Sequence, residues 1–241
     1  MKLVLTSTQF LNNQLSVNIK NLQEISSKYH NKDIDFICFG EAYLQGFDGL
    51  TWNINEDINR ALSIEDKVIT DLQEYSKINN IGHAFGYIEK DSGKLYSSYI
   101  VIDKNGEILA NYRRISQGWK VEEADPTVYL HNSSKTVFFN YEGKKIGLGL
   151  CGDFWEHPGI YADLEADLYI WPVFIDYTKK EWEEGAQKEY ADQALLVGKN
   201  VAMINSAYPN QAYGGSTYFV DGNVEAYSPM GSYEDLIIEF R

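Results

Sequence analysis

Two side chains sit where the chain pattern could expose chemistry. Cys151 ends the run Lys145-Ile146-Gly147-Leu148-Gly149-Leu150 and is followed by Gly152-Asp153. A strand that runs into a glycine-flanked nucleophile can present it on a sharp turn, because Gly149 and Gly152 carry no side chain to block close backbone approach. Glu41 directly follows the apolar run Asp35-Phe36-Ile37-Cys38-Phe39 and Gly40. A carboxylate at the end of a buried strand is placed to have its pKa raised and to work as acid and base. The other cysteine, Cys38, lies inside that apolar run and reads as core. The four histidines, His30, His83, His131 and His157, form no HxxxH or HExxH spacing, and no Cys/His pattern suits a metal. His83 falls in an apolar strand and reads as a satisfied core residue. No GxxxxGK[ST] loop is present to cradle phosphates.

The elements around these residues alternate. Leu3 to Phe10 reads as a strand, and a helix follows with Leu15, Ile19, Leu22, Ile25 and Tyr29 on one face. Asp35 to Phe39 reads as a strand covered on both faces. A helix begins at Ser63, with Asp66 as capping partner and Val68, Ile69, Leu72, Tyr75 and Ile78 as its apolar face. Ile81 to Glu89, Ser97 to Asp103 and Glu107 to Tyr112 read as strands, the last two joined by the turn Asn105-Gly106. Lys135 to Tyr141 and Lys145 to Leu150 flank Glu142-Gly143, and Asp167 to Phe174 is another buried strand. Trp182 to Val197 reads as a helix, Val201 to Asn205 as a strand, Asp221-Gly222 as a hairpin turn, and Leu236 to Phe240 as a closing strand. The pattern predicts an α/β (α+β) fold of mixed sheets with helices stacked outside. On periodicity alone, a two-sheet sandwich and one doubly wound sheet both remain open.

Composition narrows the partners. The 241 residues carry 35 acidic and 21 basic side chains, a net charge of −14. No basic cluster exists for nucleic acid, and an acidic chain suits anionic membrane surfaces poorly. With no linker or repeat, residues 1–241 are expected to form one domain. Two cysteines rule out a disulfide framework. The N-terminal apolar run is too short for a signal peptide, and the longest apolar stretch, Leu168 to Ile175, is far short of a membrane span. A reduced, cytoplasmic protein is expected.

Taken in order, the segments resemble the carbon–nitrogen hydrolase family, the nitrilase superfamily. The residues that carry the likeness are Asp35 to Phe47 (DFICFGEAYLQGF), Asn111 to Lys120 (NYRRISQGWK), Ile146 to Pro158 (IGLGLCGDFWEHP), Ala166 to Pro172 (ADLYIWP), Ala191 to Ser206 and Gly214-Gly215-Ser216. They span the chain in the family's order. The resemblance implies a four-layer α-β-β-α sandwich of two mixed sheets that often dimerises. It also implies a thiol-dependent hydrolase of a non-peptide C–N bond, acting on a small amide, carbamoyl compound or nitrile without metal or cofactor. Cys151 would be the nucleophile and Glu41 the acid and base. The family usually has Pro where Gly40 stands, and its catalytic Lys where Arg114 stands. The cationic role therefore falls to Arg114 or to Lys120 six residues on, whose bland reading is an exposed loop charge. Glu122 or Glu123 would match a second family glutamate that orients cation and substrate. Tyr43, Trp119, Trp155 and Phe174 flank these positions and are candidates to line the pocket, Trp155 in particular. The rival reading is a binding protein on the same fold that has lost catalysis with the Lys.

Overall fold

The computed structural model describes residues 1–132, 138–209 and 214–241. It contains two six-stranded sheets. In chain order the strands are β1 (Lys2–Leu5), β2 (Phe36–Cys38), β3 (Gly82–Asp91), β4 (Lys94–Ile102), β5 (Ile108–Arg113), β6 (Phe138–Tyr141), β7 (Lys144–Leu148), β8 (Leu168–Val173), β9 (Asn200–Asn205), β10 (Thr217–Val220), β11 (Asn223–Tyr227) and β12 (Leu236–Glu239). One sheet has the order β12-β1-β2-β3-β4-β5 and the other β11-β10-β9-β8-β7-β6. Each has three parallel strands at its centre, β1, β2 and β3 in one and β7, β8 and β9 in the other, with antiparallel strands at the flanks.

The period-2 geometry of a strand sends alternate residues to opposite faces, and here both faces are apolar. Leu3, Leu5, Phe36, Cys38, Ala84 and Val101 join the core that includes the second sheet. Val4, Ile37, Phe39, Phe85, Ile100 and Ile102 point the other way. There they meet α1 (Leu15–Tyr29) and a later helix (Lys67–Asn79) through Leu22, Ile25, Ile69 and Leu72. This is why β2 reads as an unbroken apolar run: both of its faces are covered. The far side of the second sheet is covered by the helix Gln187–Val197 through Tyr190, Ala191, Ala194 and Val197. The result is the expected α-β-β-α sandwich.

Several local expectations shift. The helix expected from Ser63 starts at Lys67, with Asp66 as its N-cap; Asp66 Oδ2 accepts the N–H of Ser63, outside the helix, at 2.8 Å, and only the Asp66 backbone carbonyl accepts the first helix N–H groups. Ile78 is 71% exposed and leaves that helix's apolar face. Leu3–Phe10 is strand only as far as Leu5, and the helix expected from Trp182 opens with a π-helical turn over Trp182–Ala186. The strand expected over Lys135–Tyr141 falls partly outside the described residues and is seen over Phe138–Tyr141. The short helices Ile54–Arg60, Asp153–Glu156 and Pro158–Ala162 had no clear periodic signal, being one or two turns long.

Candidate active site

The topology brings the candidate residues to one end of the sandwich. Glu41 follows β2, Arg114 follows β5 and Cys151 follows β7. β5 is antiparallel to β4, which is antiparallel to β3, so β5 runs in the same direction as β2 and its carboxyl end lies at the same edge. The crevice outside the carboxyl ends of parallel strands is the usual functional edge of an α/β sheet.

The end of β8 holds the two halves together. Pro172 O accepts the Cys151 N–H at 2.9 Å, and Val173 O accepts the Glu41 N–H at 3.5 Å. Pro172 has no N–H to give back to the segment around Gly149, so the chain after β7 is free to leave the ladder. It does so at Cys151, which adopts φ +42°, a left-handed conformation rare for a residue with a side chain. Trp171, fully buried, donates its Nε1–H to Cys151 O at 2.9 Å and fixes the turn from below. The Glu41 turn is as tightly built. Ala42 sits at φ +49°. Gly40 donates its N–H to Ser206 Oγ at 3.0 Å, and a Cβ on Gly40 would lie 2.8 Å from that oxygen and 2.9 Å from Ser206 N. Glycine at the position where the resemblance led to proline thus has a physical reason: Ser206 fills the space that a side chain would need and accepts an N–H that proline lacks.

Glu41 and Arg114 form a buried pair, with Arg114 Nη1 donating to Glu41 Oε1 at 2.8 Å and exposures of 0% and 3% for the two side chains. Ser97 Oγ donates to the same Oε1 at 3.1 Å. Oε2 is buried and has no hydrogen-bond partner among the described residues. Loss of hydration pushes the Glu41 carboxyl above its usual range, and the Arg114 charge opposes this. Arg114 Nε donates to Ser116 Oγ at 2.7 Å, and the neighbouring anions hold the guanidinium charged. The Cys151 thiol is half-buried, and desolvation, reinforced by the Glu41 charge, pushes it up to about 12. The Arg114 charge and the backbone N–H of Phe174 pull in the other direction.

Asp153 organises the arrangement and had no signal in the sequence beyond standing two residues after the cysteine. Its Oδ1 accepts the N–H groups of Ile115 at 3.0 Å and Ser116 at 2.6 Å, and its Oδ2 those of Leu150 at 2.9 Å and the Tyr112 hydroxyl at 2.5 Å. One fully buried carboxylate thus ties the segment carrying Arg114 to the turn carrying Cys151. Gly152 was expected to ease the turn, and its space is used: a Cβ there would stand 2.6 Å from Arg114 Nη2.

None of the remaining candidates hydrogen-bonds Glu41 or Arg114 among the described residues. Lys120 Nζ donates to Tyr129 O at 2.8 Å and makes no contact with Glu41, so Arg114 is the cation at the carboxylate. Glu122 and Glu123 are exposed. Trp155 is 40% exposed and packs edge-on to Tyr190 at 5.1 Å. Tyr43 is fully buried beneath Phe39 and Phe10 and is core. His83 is core as read, bonded to Ser26 and Ser76 hydroxyls at 2.5 and 2.7 Å. Among the described residues no cluster of His, Cys, Asp or Glu suits a metal, and no helix is long and apolar enough to cross a membrane.

Comparison with known proteins bears on the fold and the family. The chain is similar to a nitrilase of Meyerozyma guilliermondii, 27% identical over 201 residues that make up 74% of this chain and 63% of the relative. It is similar to a formamidase of Photorhabdus laumondii, 27% identical over 188 residues, 76% of this chain and 50% of the relative. The chain thus spans less than two thirds of the length of these curated relatives. Among solved structures it matches an amidase of Nesterenkonia sp. AN1 that carries acrylamide added at its active-site cysteine, with a TM-score of 0.80 at 15% identity, covering 100% of this chain and 93% of that one. A glutamine-dependent NAD+ synthetase of Acinetobacter baumannii shares the fold at a TM-score of 0.75 and 19% identity, this chain covering 44% of it. The profile of the carbon-nitrogen hydrolase family matches residues 6–238, and the chain belongs to that family.

Proposed function

We propose that the protein hydrolyses a non-peptide C–N bond through a thioester on Cys151, with a small amide or carbamoyl compound as substrate in preference to a nitrile. The observation that carries this reading is the buried Glu41 carboxylate. One of its oxygens is held by Arg114 and Ser97, and the other is buried without a partner, at the same sheet edge as a cysteine on a left-handed turn.

The steps follow from these groups. The resting sulfur is a thiol, because burial and the Glu41 charge oppose the thiolate. As sulfur attacks the amide carbon, its proton passes to Glu41, whose raised pKa makes it a better base than an exposed carboxylate. The carbonyl oxygen becomes an oxyanion. Arg114 Nη2, which makes no hydrogen bond among the described residues, is the donor left to receive it. One such donor lowers the barrier by about 3–4 kcal/mol. Glu41 then returns the proton to the leaving nitrogen and ammonia or an amine departs. Water adds to the thioester with its proton passing to Glu41, and the thiol leaves as the acid is released. Splitting one hard displacement into two is what the nucleophile contributes.

Ammonia release across a panel of small amides, carbamoyl compounds and nitriles tests the proposal, with Cys151→Ala as control. Activity that persists in Cys151→Ala sinks the mechanism. The second reading, a binding protein without catalysis, is favoured by Arg114 in the place of the family's Lys. It requires a Cys151 inert to iodoacetamide at neutral pH, and rapid selective alkylation overturns it.

A further inference from the structure

A cleft of about 300 Å³ opens beside the site, walled by Phe47, Leu50, Trp52, Trp119, Val121 and Lys120, with Gly118 at one end and the exposed Asp48 on its rim. Two contacts join it to the reacting groups. Gly118 borders Arg114: a Cβ on this glycine would lie 3.4 Å from Nη2, the same nitrogen that a Cβ on Gly152 would crowd. Phe47 stacks on Phe174 at 4.8 Å, whose backbone N–H favours the Cys151 thiolate.

The polar groups of the cleft are unbalanced toward donors. Lys120 Nζ gives one proton to Tyr129 O, and its other two have no acceptor among the described residues. The indole N–H of Trp119, a residue 3% exposed, has no acceptor either. The Trp119 N–H is buried, so leaving it unpaired is costly unless a ligand satisfies it, while the half-buried ammonium stands at the mouth with protons to give. Burial also lowers the Lys120 pKa, a cost that a bound anion would offset. Apolar walls with a cation at one place suit a short hydrocarbon spacer that ends in an anion.

We propose that this cleft is the distal subsite for substrate and takes the carboxylate of a monoamide of a short dicarboxylic acid, with Lys120 as its counter-ion. The inference rests on the amidohydrolase reading and names its substrate class. Lys120, a candidate for the catalytic cation by sequence, is here a specificity residue.

The test uses the monoamides of malonic, succinic, glutaric and adipic acids, each paired with the unsubstituted alkyl amide of equal length. At one chain length the acid amide should be favoured in kcat/KM by about tenfold or more, the scale of one charge-assisted hydrogen bond. Lys120→Met should remove most of that preference through KM, and Lys120→Arg should retain much of it. If amides are hydrolysed with no preference for the acid, or Lys120→Met keeps the preference, the subsite is overturned while the amidohydrolase reading stands. If no amide releases ammonia, that reading fails, and the subsite is judged by calorimetry with succinate and glutarate. Binding that Lys120→Met abolishes supports it, and absence of binding overturns it.

Discussion

Gly152→Ala probes the cation most directly. The added methyl would stand 2.6 Å from Arg114 Nη2, 3.1 Å from Ser116 Oγ and 3.5 Å from Glu156 Oε1. Non-bonded contacts between heavy atoms are comfortable at about 3.5 Å, so roughly 0.9 Å must be found. The end of an arginine would ordinarily swing aside at little cost. Here it is 3% exposed, with Nη1 on Glu41 and Nε on Ser116, so the guanidinium moves only by straining both bonds. A misplacement of about 1 Å in a catalytic group costs on the order of 100-fold in rate, or about 2.7 kcal/mol of barrier. The expected result is a kcat about 100-fold lower with KM much less affected, measured by ammonia release on the best amide of the panel. Alkylation of Cys151 should also slow at a given pH, because Arg114 is the charge that favours the thiolate. The melting temperature shows whether the fold survives. A shorter cation should tolerate the methyl, so Gly152→Ala costs less in an Arg114→Lys background than in the parent. A Gly152→Ala variant with parental kcat and parental alkylation rate refutes the assignment of Arg114 to the reacting centre.

Asp153→Asn should be worse than its size suggests, because whichever way the amide turns, its NH2 faces donors on one side. The expected destabilisation is about 2–4 kcal/mol by urea melts. Since the Asp153 charge raises both Cys151 and Glu41, the alkylation midpoint of the surviving folded protein should move to lower pH. Gly86→Ala would place a Cβ 2.3 Å from Ala42 N, 2.7 Å from Gly40 O and 2.8 Å from Glu41 C, all backbone. Lifting the Glu41 turn off β3 should cost about 1–3 kcal/mol in stability and a larger share of activity, and parental kcat would argue against a fixed Glu41. His83 is held neutral by burial, its pKa lowered to about 3, so the unfolded chain takes up a proton that the native state refuses. Its stabilising effect is complete above the unfolded value and is lost as pH falls, by roughly 3 kcal/mol between pH 7.5 and 4.5. His83→Gln should flatten that part of the urea-midpoint profile, and an unchanged slope would refute the assignment.

The sandwich was legible because its strands are apolar on both faces and its helices on one, which is a pattern of residue types. Cys151 and Glu41 were legible because each ends such a strand. What the sequence left open was settled by contacts between distant segments. Whether Arg114 or Lys120 meets Glu41 depends on where the chain turns after β5, and Asp153 decides that by binding the Ile115 and Ser116 N–H groups. Neither residue's own neighbourhood carries that information. The reason for Gly40 is Ser206, 166 positions away in the chain and packed against it. Ser97 and Tyr112 lie in strands that read only as strands. The short helices after Cys151 fail to show because one or two turns give no periodicity to detect.

The exchange of Lys for Arg also changes where a proton can go. An ammonium beside a carboxylate and a thiol could give up a proton within a working pH range, whereas a guanidinium remains charged throughout. In this site the burial of Arg114 works against its charge, but the Glu41 and Asp153 carboxylates face it and more than compensate. Proton exchange is then confined to the thiol, Glu41 and the substrate or water between them. Glu41 rises because it is desolvated, and Cys151 rises because it is desolvated beside Glu41, whose charge opposes ionisation of the thiol. Their titrations belong to the pair rather than to either residue. On this reasoning kcat/KM for an uncharged amide should depend on pH through Glu41 and Cys151 alone, and Arg114→Lys should add a further ionisation on the alkaline side. A parent profile that already shows such an additional alkaline ionisation, retained in Lys120→Met, would mean that some other cation is exchanging a proton at the site.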